Sequence, residues 1–156
     1  MNRGRTASIS LLAAAALAAA TGASGGRDAA LPPDPRTASY LIIVNPESPV
    51  RELGRSFVRD AFLKKAATWA DGETIRPVDL PRVSLVRERF TREVLNKTPA
   101  QLRAYWNQQI FSGKGVPPPE VDSDAAMIAY VLHHHGAMGY LPRSADPRGA
   151  VVVRLR

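Results

Sequence analysis

The chain has 156 residues, of which 45% are hydrophobic, with 21 Lys and Arg against 14 Asp and Glu and no cysteine. The missing cysteine excludes disulfides, thiolate chemistry and Cys-based zinc sites, and the basic excess favours anionic partners without naming one. Aromatic residues make up only 6%, too few for base-stacking platforms, so nucleic acid is not an expected partner.

The N-terminus reads as a secretory signal over residues 1–23. Arg3 and Arg5 form a charged start, Ile9 to Ala20 an apolar run, and Thr21-Gly22-Ala23 a small-residue cleavage site. The run is shorter than the roughly 20 residues a bilayer span needs, so cleavage is expected rather than anchoring. No cysteine follows it, as a lipid anchor would require. The exported chain is expected to be periplasmic or secreted, with no membrane span after signal removal. Cleavage leaves 133 residues and a net charge of about +5, enough for one domain but not two with a cleft between them.

Residues 24–38, rich in Gly and Pro, read as a flexible leader. The folded domain is expected over 39–156. Tyr40-Leu41-Ile42-Ile43-Val44 is rich in β-branched residues and closes on Asn45-Pro46, which predicts a buried strand. Residues 54–65 predict a helix with Val58, Ala61 and Phe62 on one face. Asp71-Gly72 is a turn, and Ile75 to Leu80 a second short strand. Ser84 starts a helix carrying Val86, Phe90 and Val94. Thr98-Pro99-Ala100-Gln101 holds a capping box with proline in the first turn, and its helix presents Leu102, Tyr105, Trp106 and Ile110. Ser123 starts a helix through Met127, Ile128 and Val131, ended by Gly136. Gly139-Tyr140-Leu141 and Val151-Val152-Val153 read as closing strands. Strands alternating with helices give an α/β class.

LGRSFVRDAFLKKAATWADG (53–72) and GAMGYL (136–141) carry a resemblance. The first is similar to a segment of type 2 periplasmic solute-binding proteins, especially the phosphate-binding proteins of ABC transporters, which run through an "IFLGK" stretch to a Trp and an Asp-Gly-type turn. The second resembles the family's "GAIGYV" strand. LRAYWNQQIFSGKGVPP, between them, resembles shorter exported domains of this kind. The resemblance spans roughly residues 40–142. It implies a single periplasmic-binding-protein-like lobe, a mixed sheet flanked by helices, acting in solute binding and related to ABC transport.

The family's phosphate grip resembles "RSDGSGT" at a helix start. Aligned to it, Leu80 stands for the Arg, Arg82 for the Asp, Val83 for the first Gly and Leu85-Val86 for the final Gly-Thr, leaving Ser84 matched. Ser84 still heads a helix, whose unpaired N–H groups and dipole favour an anion. Arg82 and Arg87 flank it with guanidiniums suited to forked oxyanion contacts. Ser84, Arg82 and Arg87 are therefore the candidate ligand-binding residues, phosphate or another small oxyanion the candidate ligand. The competing reading is an N-cap beside two solvated arginines. The resemblance implies that an acid at the position of Arg82 accepts a proton from phosphate, so Arg82 weakens selection for a protonated oxyanion.

His133-His134-His135 cannot converge on one metal ion, because consecutive helical residues point about 100° apart. Gly113-Lys114-Gly115 lacks the rest of a phosphate-binding loop, and no hydrolase motif is present. No metal, cofactor or enzymatic activity is expected. Trp69, Tyr105-Trp106 and Phe111 fall at packing spacings and are expected in the core. Two functions stay open: a solute-binding-like domain contacting a small oxyanion, or an interaction module that keeps the fold without the ligand. A second copy or another protein closing over the Ser84 face is the expected partner.

Overall fold

The computed structural model describes residues 39–156. The expected signal (1–23) and leader (24–38) lie outside the described residues. In chain order the elements are β1 (Tyr40–Val44), β2 (Glu52–Leu53), α1 (Arg55–Phe62), β3 (Arg76–Pro77), α2 (Leu85–Glu93), α3 (Pro99–Phe111), α4 (Asp124–His133), β4 (Ala137–Pro142) and β5 (Val151–Leu155). One mixed sheet forms in the order β2-β5-β1-β4-β3, with β1 antiparallel to β4 and β5. The outer strands β2 and β3 pair in parallel with β5 and β4. Both are two residues long, and Pro77 lacks the N–H that an inner strand would need. The architecture is the predicted α/β lobe, a mixed sheet flanked by helices.

The pleat sorts the core onto two faces. Tyr40, Ile42 and Val44 share one face with Met138 and Tyr140, as the β1–β4 register requires. There Phe90 of α2 stacks on Tyr140 with ring centroids 4.1 Å apart, and Phe62 of α1 meets both rings. Ile43, Gly139 and Leu141 point to the other face, where α4 packs. Its Met127 and Val131 lie so close to Gly139 that a side chain there would overlap the Met127 sulfur. Buried Asn45 joins this layer to the end of β1, donating from Nδ2 to the carbonyls of Val131 (2.9 Å) and Leu132 (3.3 Å) in the last turn of α4. Those carbonyls would otherwise lack partners at a helix end.

Ser84, Thr98 and Ser123 cap α2, α3 and α4 as their sequence patterns predict. Thr98 Oγ1 accepts from the Gln101 N–H at 3.2 Å, and Gln101 Oε1 accepts from the Thr98 N–H at 2.8 Å. Thr98→Ala is expected to cost about 1 kcal/mol in urea denaturation, the usual value of such a cap. An unchanged midpoint would mean that packing of Leu102 and Trp106 alone fixes this helix.

Two expectations change. The strand expected over Ile75–Leu80 keeps regular pairing only at Arg76–Pro77, although the Val78 N–H still donates to Met138 at 2.9 Å. Beyond it the chain leaves β4, and Asp79 exchanges backbone bonds with Pro119 and Val121. Phe111 is 92% exposed rather than in the core. It lies five residues beyond Trp106, which turns it about 140° away from the buried stripe. Trp69 and Trp106 are buried as expected.

Candidate functional site

The start of α2 depends on how Asp79 is held. The Asp79 N–H donates to the Pro119 carbonyl and the Val121 N–H donates to the Asp79 carbonyl, both at 2.9 Å. This parallel bridge sets Glu120 beside the first turn of α2. Arg87, one turn into the helix, reaches back between the two acids. Its Nη2 lies 2.9 Å from Asp79 Oδ2, and its Nη1 lies 3.0 Å from Glu120 Oε1 and 2.7 Å from the Leu80 carbonyl. The Arg87 side chain is only 12% exposed. Asp79 also accepts from the Leu80 N–H at 3.1 Å and from the Tyr140 hydroxyl.

The charges follow from this packing. Burial pushes the Asp79 carboxyl above the usual carboxylate range, against the pull of Arg87 and the Tyr140 hydroxyl. Burial, then the charge of Asp79, pushes the Tyr140 phenol well above its ordinary value. For Glu120, burial works upward but the hydrogen bonds and charges of Arg87 and Arg82 outweigh it and hold the carboxyl low.

The three predicted residues do come together. Ser84 Oγ accepts from the Arg87 N–H at 3.3 Å, so its side chain is the helix cap. Arg82 pairs through Nε with Glu120 Oε1 at 3.2 Å and keeps a side chain 72% exposed. Among the described residues, no hydrogen-bond acceptor meets the Leu85 and Val86 N–H groups. The carboxylates at Arg87 were missed. Their signal was a lone acid, Asp79, inside an apolar run, since a buried carboxylate requires a partner.

A groove of about 430 Å³ runs from this network between α2 and α3, lined by Arg82, Arg87, Leu102, Arg103, Trp106 and Ile110 among others. Its rim is apolar. Val83 and Leu85, beside Arg82 and Ser84, are 91% and 81% exposed, and Phe111 and Val116 flank Ile110 and Pro117. The three histidines diverge: Nδ1 of His133 meets the Ala129 carbonyl, that of His134 the Tyr130 carbonyl, and that of His135 Glu47.

No family model and no curated protein matches the sequence. Solved structures do match in fold. A substrate-binding protein assigned to phosphate ABC transport from Clostridium perfringens, solved with bound phosphate, superposes with a TM-score of 0.59 and 18% identity over 75% of this chain and 44% of its own. An ABC-type phosphate transport receptor from Vibrio cholerae gives 0.57 and 19% over 75% and 46%. PstS from Borrelia burgdorferi gives 0.59 and 12% over 76% and 47%. The chain therefore has the fold of a periplasmic-binding-protein lobe, as its motifs imply. It spans less than half the length of these structures. Among the described residues, no helix is long and apolar enough to cross a membrane.

Proposed function

We propose that this chain is an exported, non-catalytic interaction module built on a solute-binding lobe, and that the start of α2 with its groove is the contact face. The observation that carries the proposal is the engagement of Arg87. Its guanidinium already meets two carboxylates and a carbonyl, so an oxyanion would have to displace Glu120 or leave Asp79 buried without its countercharge. Neither exchange is favourable. Val83, Leu85, Phe111 and Val116 instead offer apolar surface of the kind partners cover. The test is a photo-crosslinking residue placed at Val83 or Phe111 in the cells that make the protein. A discrete adduct is expected from both positions and not from Asp71, which lines a different hollow. Adducts of equal yield from all three would sink the proposal.

The Leu85 and Val86 N–H groups, which meet no acceptor among the described residues, lie beside exposed Arg82 and favour a second reading, in which a small oxyanion such as phosphate rests on the Ser84 cap. Ser84, Arg82 and Arg87 would then act as its surround. One lobe leaves such an ion partly in water, where each hydrogen bond contributes little net free energy. The monomer is expected to bind phosphate no tighter than about 10–100 μM by calorimetry. Sub-micromolar affinity from a proven monomer would make the oxyanion reading the primary one.

A further inference from the structure

The sheet carries a second surface, away from α2. On its α4 side that helix covers Ile43, Gly139 and Leu141 but leaves the part formed by β1, β5 and β2 open. A groove of about 470 Å³ lies there, lined by Leu41, Val152, Arg51, Arg143, Arg154 and Glu52 among others. Val152 is 42% exposed in it, in a strand whose neighbours Val153 and Leu155 are buried. The charge is one-sided. Glu52 pairs with Arg156 at 3.4 Å. Among the described residues no carboxylate lies within ion-pair distance of Arg51, Arg143 or Arg154. Arg51 donates to the Ser48 and Val50 carbonyls, which leaves its charge uncompensated. From 143 to 156, four arginines stand against one acid, Asp146.

We propose that this groove docks an acidic polypeptide segment of a partner protein. Its carboxylates would face Arg143 and Arg154, and an aliphatic side chain would cover Leu41 and Val152. Charge complementarity selects this occupant. A second copy would bring the same excess of arginines to the contact. A membrane surface calls for protruding apolar groups, whereas Leu41 is half-buried at the base of a concavity. Nucleic acid would need an exposed ring to stack on, and the one aromatic lining residue, Tyr40, is buried edge-on against Phe90. Strand addition at the edge is disfavoured because β2 offers only two residues of ladder. The segment therefore lies across the sheet face. This surface is independent of the α2 reading and stands or falls alone.

The test is fluorescence anisotropy with a labelled peptide of alternating Glu and Leu, using the full exported chain. Saturable binding is expected, weakening at least about tenfold as salt rises from about 50 to about 300 mM. Arg143→Glu with Arg154→Glu is expected to weaken it by at least about tenfold more. Lys65→Glu with Arg76→Glu, an equal change of charge elsewhere, is expected to leave it within about twofold. Arg143→Gln with Arg154→Gln replaces the first pair if that pair melts early. Equal weakening by both pairs would overturn the proposal, because net charge alone would then explain binding. So would no saturation at millimolar peptide, or tighter binding of phosphatidylglycerol vesicles or single-stranded DNA through the same arginines.

Discussion

Arg87→Leu is expected to destabilise the fold by about 3–5 kcal/mol at neutral pH, the cost of removing one partner from a buried ion pair. Asp79, with a side chain 8% exposed, would be left without its countercharge, so it would either ionise alone in a buried site or take up a proton, and the Leu80 carbonyl would lose its donor. Adding Asp79→Leu should recover part of the loss, since it removes the buried unpaired acid, but the buried Tyr140 hydroxyl then loses its acceptor. Arg82→Ala makes the contrast: its side chain is 72% exposed, and its loss should stay within about 0.5 kcal/mol. Urea denaturation of the four proteins decides the matter. A loss below about 1 kcal/mol for Arg87→Leu would show the guanidinium to be dispensable to the fold and so available to a ligand.

The same variant has a pH signature. Asp79 titrates above the usual carboxylate range when folded, so the folded state holds its proton more tightly than the unfolded chain does. Its contribution is present below the unfolded value and lost as pH rises through the folded one. Glu120, held low by Arg87 and Arg82, contributes above the usual range, and that contribution is lost on acidification. In the native protein the two trends oppose each other. Without Arg87 the Asp79 trend dominates, so the variant should lose stability steeply as pH rises from about 4 towards neutrality. Parallel profiles for variant and parent would mean that Asp79 is not held by Arg87.

Local signals were legible and long-range ones were not. The Thr98 capping box lies within four residues, the Ser84 and Ser123 caps within similar spans, and the β-branched run of β1 needs no partner to be recognised. The motifs also carried the lobe fold. Strand β2 was invisible because two residues have no period. The expected strand over Ile75–Leu80 ran too far because its end is set by Pro119 and Val121, some forty residues away. At the candidate site, the Ser84 cap could be read but the direction of Arg87 could not. Its guanidinium follows two carboxylates, one of which arrives only when the segment after three prolines folds back against Asp79. The open half of the sheet face was equally hidden, since it depends on where α4 stops covering β1 and β5.

Gly136→Ala is expected to cost about 3–4 kcal/mol, well beyond a typical glycine replacement. Gly136 links α4 to β4 with φ at +69°, a left-handed conformation that costs an L-residue about 1–2 kcal/mol. Strain is the smaller part. A Cβ there would overlap the Thr74 carbonyl oxygen and lie 3.2 Å from its carbonyl carbon and 3.0 Å from Glu73 Cγ. Backbone cannot turn aside as a side chain can, so β3 or the start of β4 would have to move. The Gly136 carbonyl also accepts from the Arg76 N–H at 2.9 Å and from Trp69 Nε1 at 3.0 Å, and both bonds sit on the segments that would shift. Two glycines separate these causes. Gly72 has φ at +90° and open space around it, so Gly72→Ala carries strain alone, about 1 kcal/mol. Gly139→Ala carries no such strain and crowds chiefly the flexible Met127 side chain, an overpacking cost of about 1–3 kcal/mol. Urea midpoints should rank Gly136→Ala as the most destabilised of the three, with altered Trp69 fluorescence in that variant alone. A Gly136→Ala loss within about 0.5 kcal/mol of the Gly72→Ala loss would show that the turn, and not the approach of Thr74, requires glycine here.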